Sequence, residues 1–86
     1  MVNFHTEEAA MNDEQIVELL KSENEDFRKL HSEHRHLDTL LSDFHSKHYL
    51  TPEEEIEKKR LQKEKLFKKD KMAALIRDYR AHQPQA

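Results

Sequence analysis

Apolar residues in the first half of the chain recur at alternating intervals of three and four. Ile16, Leu20, Phe27, Leu30, Leu37, Leu41 and Phe44 fall on one such ladder, whose other rungs are Glu23, His34 and His48. A stripe this narrow is the seam of a coiled coil, not the broader apolar face of an ordinary globular helix. Polar residues interrupt it over 22–26. Either Ser22 with Glu25, or Asn24 alone, has the chemistry to cap a fresh helix. The pattern predicts a kink or break near Asn24, with a short helix over about residues 13–22 and a long one over about 25–47.

The first helix has its start signal at Asn12, whose side chain can accept from free first-turn amides. Gln15 stands where a capping box needs it, and Asp13 and Glu14 suit the positive end of the helix dipole. The stronger punctuation is Thr51-Pro52-Glu53-Glu54. Thr51 is a good N-cap, and Pro52 suits the first helical position because its missing amide would have had no partner there. Glu54 completes a capping box, and Glu53 and Glu55 add dipole compensation. Pro52 also excludes Thr51 from helical geometry, so the preceding helix must stop before it.

The helix from Pro52 to about Arg80 carries a second seam of Leu61, Lys65, Lys68, Met72, Leu75 and Tyr79, with Ile76 beside it. The link over about residues 47–51 is short, so the two long helices should fold back antiparallel. Such a turn places Leu37 opposite Leu61, Phe27 near Met72 and Leu20 near Tyr79. Ile56, Phe67 and Ala74 lie on the far side and point to a second contact surface. Residues 1–11 and 83–86 read as flexible ends around a hairpin domain of 12–82.

Composition narrows the picture further. The chain has 86 residues, 35% apolar and 38% charged, with no Gly and two Pro. Tight β-turns need Gly or Asn-Gly, so a sheet has almost nothing to turn on. A chain this small and polar buries little alone, and it has no Cys to staple it. Helix packing and oligomerisation remain as sources of stability. No apolar run approaches a membrane span, and the first residues lack the basic-then-apolar order of a signal peptide. A soluble, cytoplasmic protein without membrane contact is the expectation.

Two patterns carry a resemblance. Asn24, Phe27, Leu30, His34, Leu37-Asp38 and Leu41 spell N-x-x-F-x-x-L-x-x-x-H-x-x-L-D-x-x-[IL]. Leu61, Lys65-Leu66, Lys69-Asp70 and Met72 spell L-x-x-x-K-L-x-x-K-D-x-[IM]. Together they resemble the YdcH-like family of small bacterial proteins, a domain of unknown function, over about Asp13 to Tyr79. The resemblance implies a helical hairpin with coiled-coil character and implies no activity. The chain departs from it at Lys68, where relatives often have an apolar residue, and at Glu25, where they often have Pro.

His34 occupies a rung where Leu is expected. A polar residue on a seam can fix register and oligomer state at some cost in stability. Asp38 is one helical turn away, and Lys65 or Glu64 comes within reach across the hairpin. His34, Asp38, Lys65 and Asp70 are therefore the candidate polar layer, with His34 read as a satisfied structural histidine. The alternatives are a pH-responsive role, since imidazole titrates near neutrality, and a ligand role. Five histidines, His31, His34, His36, His45 and His48, crowd the same segment. A metal site needs three or four convergent ligands, and no H-E-x-x-H motif or Cys completes a set. No metal or cofactor is expected.

Residues 58–71 hold eight basic side chains and two acidic ones, a local net of +6 in a chain of net charge −3. Lys58, Lys59, Arg60, Lys63, Lys68 and Lys69 are the candidate basic face for nucleic acid. Lysine outnumbers arginine and no aromatic stacking set accompanies it, so a solvated face is the simpler reading. Catalysis finds no footing, because nothing here builds a pocket that desolvates the Ser, His or Asp side chains.

The sequence thus predicts an all-α, antiparallel two-helix hairpin with coiled-coil character, a short N-terminal helix, and dimerisation into a four-helix bundle. Its core is expected at Phe27, Leu30, Leu37, Leu41, Leu61, Met72 and Leu75. The expected function is that of a structural or protein-interaction module, not an enzyme, with a homo-oligomer or an unidentified protein as partner. The alternative is a nucleic-acid-associated accessory factor.

Overall fold

The computed structural model describes residues 11–82. The flexibility expected of residues 1–10 and 83–86 lies outside the described residues. The described residues are all-α, with three helices in chain order: α1, Asp13–Glu23; α2, Glu25–His45; and α3, Pro52–Ala81.

Each helix begins where local chemistry says it should. The Asn12 side chain accepts from the Gln15 amide at 2.8 Å, and the Gln15 side chain accepts from the Asn12 amide at 3.0 Å. Thr51 and Glu54 repeat this reciprocal pairing at the start of α3, with Pro52 just inside. Orphan first-turn amides are satisfied in both places. Lys47 forms an ion pair with Glu54, so the loop is tied to the helix it feeds. That ammonium, ahead of the Thr51 amide, holds the Glu54 carboxyl below the usual carboxylate range.

The break between α1 and α2 falls on Asn24, which serves both helices. Its backbone is extended, at φ −119° and ψ 111°. Its amide donates to the Leu20 carbonyl at 2.8 Å, closing α1. Its side chain accepts from the Phe27 amide at 2.9 Å, opening α2. Arg28 strengthens the corner by donating from Nη1 to the Lys21 carbonyl at 3.0 Å. Asn24→Ala is expected to lower stability by about 1 kcal/mol through loss of the cap. Urea unfolding at fixed pH measures this, and an unchanged midpoint contradicts the capping role.

Pairings between α2 and α3 run in opposite senses: Asp38 meets Lys65, Glu33 meets Lys68, and Phe27 packs with Met72. The two helices are antiparallel, joined through Ser46 to Thr51. Their apolar contacts form two clusters. Leu37, Leu41 and Leu61 are buried near the turn, with Leu40 and Phe44 packed against them. Ile16, Leu20, Phe27 and Met72 are buried at the open end, flanked by Val17, Leu30, Leu75, Ile76 and Tyr79. Helix α1 supplies two of those four side chains and so closes the mouth of the hairpin. Arg80 near the end of α3 fastens the start of α1, pairing with Asp13 and donating to the Met11 carbonyl at 2.8 Å.

Leu30 and Leu75 are half-buried, flanking the open-end cluster instead of filling it. Ile16 and Leu20 are more deeply buried than either. The break at Asn24 swings α1 onto the hairpin, so the mouth is filled by α1 and by Phe27. The molecule measures 59 × 26 × 17 Å with a radius of gyration of 17.6 Å. A compact domain of this length would have a radius of gyration near 12 Å.

Candidate functional site

Between the two clusters lies a band of polar side chains. His34 and Asp38 stand one turn apart on α2, so both face α3. Lys65 of α3 forms an ion pair with Asp38, and His34 Nδ1 lies 3.9 Å from Asp38 Oδ2. The hydrogen bond from Lys65, assisted by its charge and by His34, holds the Asp38 carboxyl below its ordinary value of 3.8. One turn toward the open end, Lys68 Nζ lies 3.1 Å from Glu33 Oε1. Lys68 is thus an interhelical partner of α2.

The layer differs from expectation at two residues. Asp70 is exposed and takes no part in it. Five residues beyond Lys65, it points about 140° away around the helix. Glu64 borders a groove with Glu33, His36 and Leu37 of α2 and is paired with Arg60 of its own helix. The second difference is His34. Its ring faces the interhelical space as the ladder requires, but Nε2 is buried with no hydrogen-bond partner among the described residues. Asp38 engages Nδ1 alone, because a side chain on the same helix reaches only one edge of the ring.

His31, one turn before His34 on the α1 side, stacks on Phe27 with ring centroids 6.3 Å apart. Burial lowers its pKa from 6.5, aided by Lys21, Arg35 and His34 and opposed by Glu18. The unfolded chain then takes up this proton at higher pH than the folded one. The contribution of neutral His31 is full above pH 6.5 and is lost as pH falls from there through the lower folded value. The Asp38–Lys65 pair acts at lower pH: its contribution is full above the carboxylate value of 3.8 and is lost as pH falls through the depressed folded value. Urea unfolding from pH 7.5 to 5 should therefore show declining stability, and His31→Gln should flatten that decline. An equally steep decline in the variant contradicts this assignment.

The basic run does not form one face. Successive residues turn by about 100°, so an uninterrupted run wraps the helix. Lys65 and Lys68 point to α2 and are neutralised there by Asp38 and Glu33. Arg60 is held by Glu57, with Nε and Nη2 donating at 2.8 and 2.7 Å, and by Glu64. Lys58 is half-buried. Of the six residues proposed for that face, Lys59, Lys63 and Lys69 are exposed and free of ion pairs among the described residues.

Exposed among those lysines are three large apolar side chains of α3: Ile56 at 70%, Leu66 at 57% and Phe67 at 59%. Ala74, expected on the same side, is half-buried and lines a groove with Asp26 and Leu30 of α2. Among the described residues no three His, Asp or Glu side chains converge as metal ligands, and no helix is long and apolar enough to cross a membrane. Comparison with protein-family models, curated proteins and solved structures found no match to this chain.

Proposed function

We propose that the chain is a structural or protein-interaction module that works through helix packing and pairs with itself to form a four-helix bundle. One observation carries this reading. The hairpin closes its own core around α1, yet its longest helix leaves Ile56, Leu66 and Phe67 in water. Large apolar side chains grouped on one element mark a contact surface more often than scattered ones do. The two patterns resembling YdcH-like proteins support the same architecture and add no chemistry.

On this reading the Asp38–Lys65 and Glu33–Lys68 pairs align the helices and contribute little energy. Ion pairs this accessible are worth about 0–1 kcal/mol each. They reward one register, because a slip of one turn removes both together. His34 adds to this at a cost, since Nε2 is buried and unpaired among the described residues. Removing such a group should stabilise, so His34→Leu is expected to raise stability by about 1 kcal/mol and to broaden the oligomer distribution. A melting temperature at or below that of the parent contradicts the first half. A single unchanged species in sedimentation contradicts the second.

The reading itself is tested by sedimentation equilibrium from low to high micromolar concentration. A monomer–dimer equilibrium is expected, and one monomeric species throughout contradicts it.

A further inference from the structure

We infer that the dimer forms through the outer face of α3, pairing antiparallel with α3 of a second copy so that Ile56 of each chain packs on Phe67 of the other. The inference rests on the self-pairing reading above and assigns its surface and register: the two α3 helices meet at the centre of the four-helix assembly and each α2 lies on its outside.

The spacing comes first. Ile56 and Phe67 are 11 residues apart, about three helical turns, so they lie on one line about 16 Å apart along the axis. Both are exposed, with Leu66 beside them. A two-fold axis between residues 61 and 62 sets each Ile56 against the Phe67 of the other copy, and symmetry supplies the contact twice.

Charge favours the same register. In an antiparallel helix pair, side chains flanking the seam meet those on the corresponding flank of the other helix. Glu53 and Lys71 share a flank, and this register brings Glu53 beside Lys71 of the second copy. Lys71 already lies over the Phe67 ring, with Nζ 4.7 Å from the centroid, so it sits at the edge of the patch. Arg60 on that flank comes beside Glu64 of the second copy. Each α3 thus offers an acidic first turn and a basic middle, and reversal matches one to the other.

A parallel pair would instead set Lys63 against Lys63 on the seam. In the antiparallel register Lys63 faces Arg60 of the second copy, whose charge is engaged by Glu57 and Glu64 of its own helix. Lys63 is thus the residue on this line that opposes pairing.

The test uses the full chain. Sedimentation equilibrium is run on the wild type, Phe67→Glu and Lys63→Leu, with far-UV circular dichroism to show that each is folded. Phe67→Glu is expected to weaken the dimer by about tenfold or more, as loss of a central aromatic anchor does. Lys63→Leu is expected to tighten it. The chain has no cysteine, so a double variant Ile56→Cys/Phe67→Cys gives a clean covalent readout. Mild oxidation should convert it to a covalent dimer, whereas Ile56→Cys alone should not convert, because the two Ile56 positions lie about 16 Å apart along the pair. A dimer that persists in Phe67→Glu, with no covalent dimer from the double variant, overturns the surface and leaves self-pairing standing. A monomeric wild type overturns both.

Discussion

Phe27→Ala is expected to remove about 3–5 kcal/mol of stability, the range for truncating a fully buried aromatic side chain. Phe27 is 1% exposed and lies in the one cluster where all three helices meet. It touches the seam of α3 through Met72, receives α1 through Ile16 and Leu20, and stacks on His31. Its amide is also the one that Asn24 caps. The neighbours that would have to collapse into the cavity sit on three different helices, so little relaxation is available. At about 0.05–0.15 kcal/mol per residue, a domain of this size has only several kcal/mol in all. In a chain this short each kcal/mol moves the melting temperature by about 4–8 °C. Thermal unfolding followed at 222 nm should therefore drop by well over ten degrees, and a shift of two or three degrees would show that Phe27 is not central.

The second large effect concerns α1. Ile16 is fully buried and, with Leu20, holds α1 to the hairpin. Ile16→Ala should cost about 2–5 kcal/mol at that contact. A helix of 11 residues cannot survive alone, because isolated helices below about 12–15 residues are marginal in water. Undocking should therefore melt α1 entirely, while the Leu37, Leu41 and Leu61 cluster keeps the hairpin closed. The three described helices hold 11, 21 and 30 residues, so the far-UV signal they give should fall by roughly a sixth. Amide signals of α1 should collapse toward random-coil positions while those around Leu61 persist. Full ellipticity with a merely lower melting temperature would contradict independent melting of α1.

Much of this architecture is written in local chemistry. Asn12 with Gln15 and Thr51 with Glu54 are reciprocal caps whose partners lie three residues apart, so the helix starts can be read without tertiary information. The three-four ladder carries the pairing of Leu37 with Leu61 and of Phe27 with Met72, since a short loop leaves antiparallel closure as the simple solution. Legibility ends where direction matters more than spacing. The candidate polar layer includes Asp70, but a step of five residues from Lys65 turns that side chain to solvent. The ladder puts His34 indoors but does not say which ring nitrogen finds a partner. Ile16 and Leu20 were legible as rungs, yet their depth depends on how α1 settles after Asn24, where the register is lost. The basic run reads as one block only in one dimension, because a helix distributes consecutive residues around its whole circumference.

The claim on which the rest depends is that the chain reverses between Ser46 and Thr51, so that α3 lies back along α2. Small-angle X-ray scattering extrapolated to low concentration, where the monomer dominates, tests it directly. The account predicts a longest dimension close to the 59 Å of the folded hairpin and a radius of gyration near 17.6 Å. A continuous helix of the same residues would extend to about 100 Å or more at 1.5 Å per residue, and a rod of that length would contradict the fold and the pairing surface built on it.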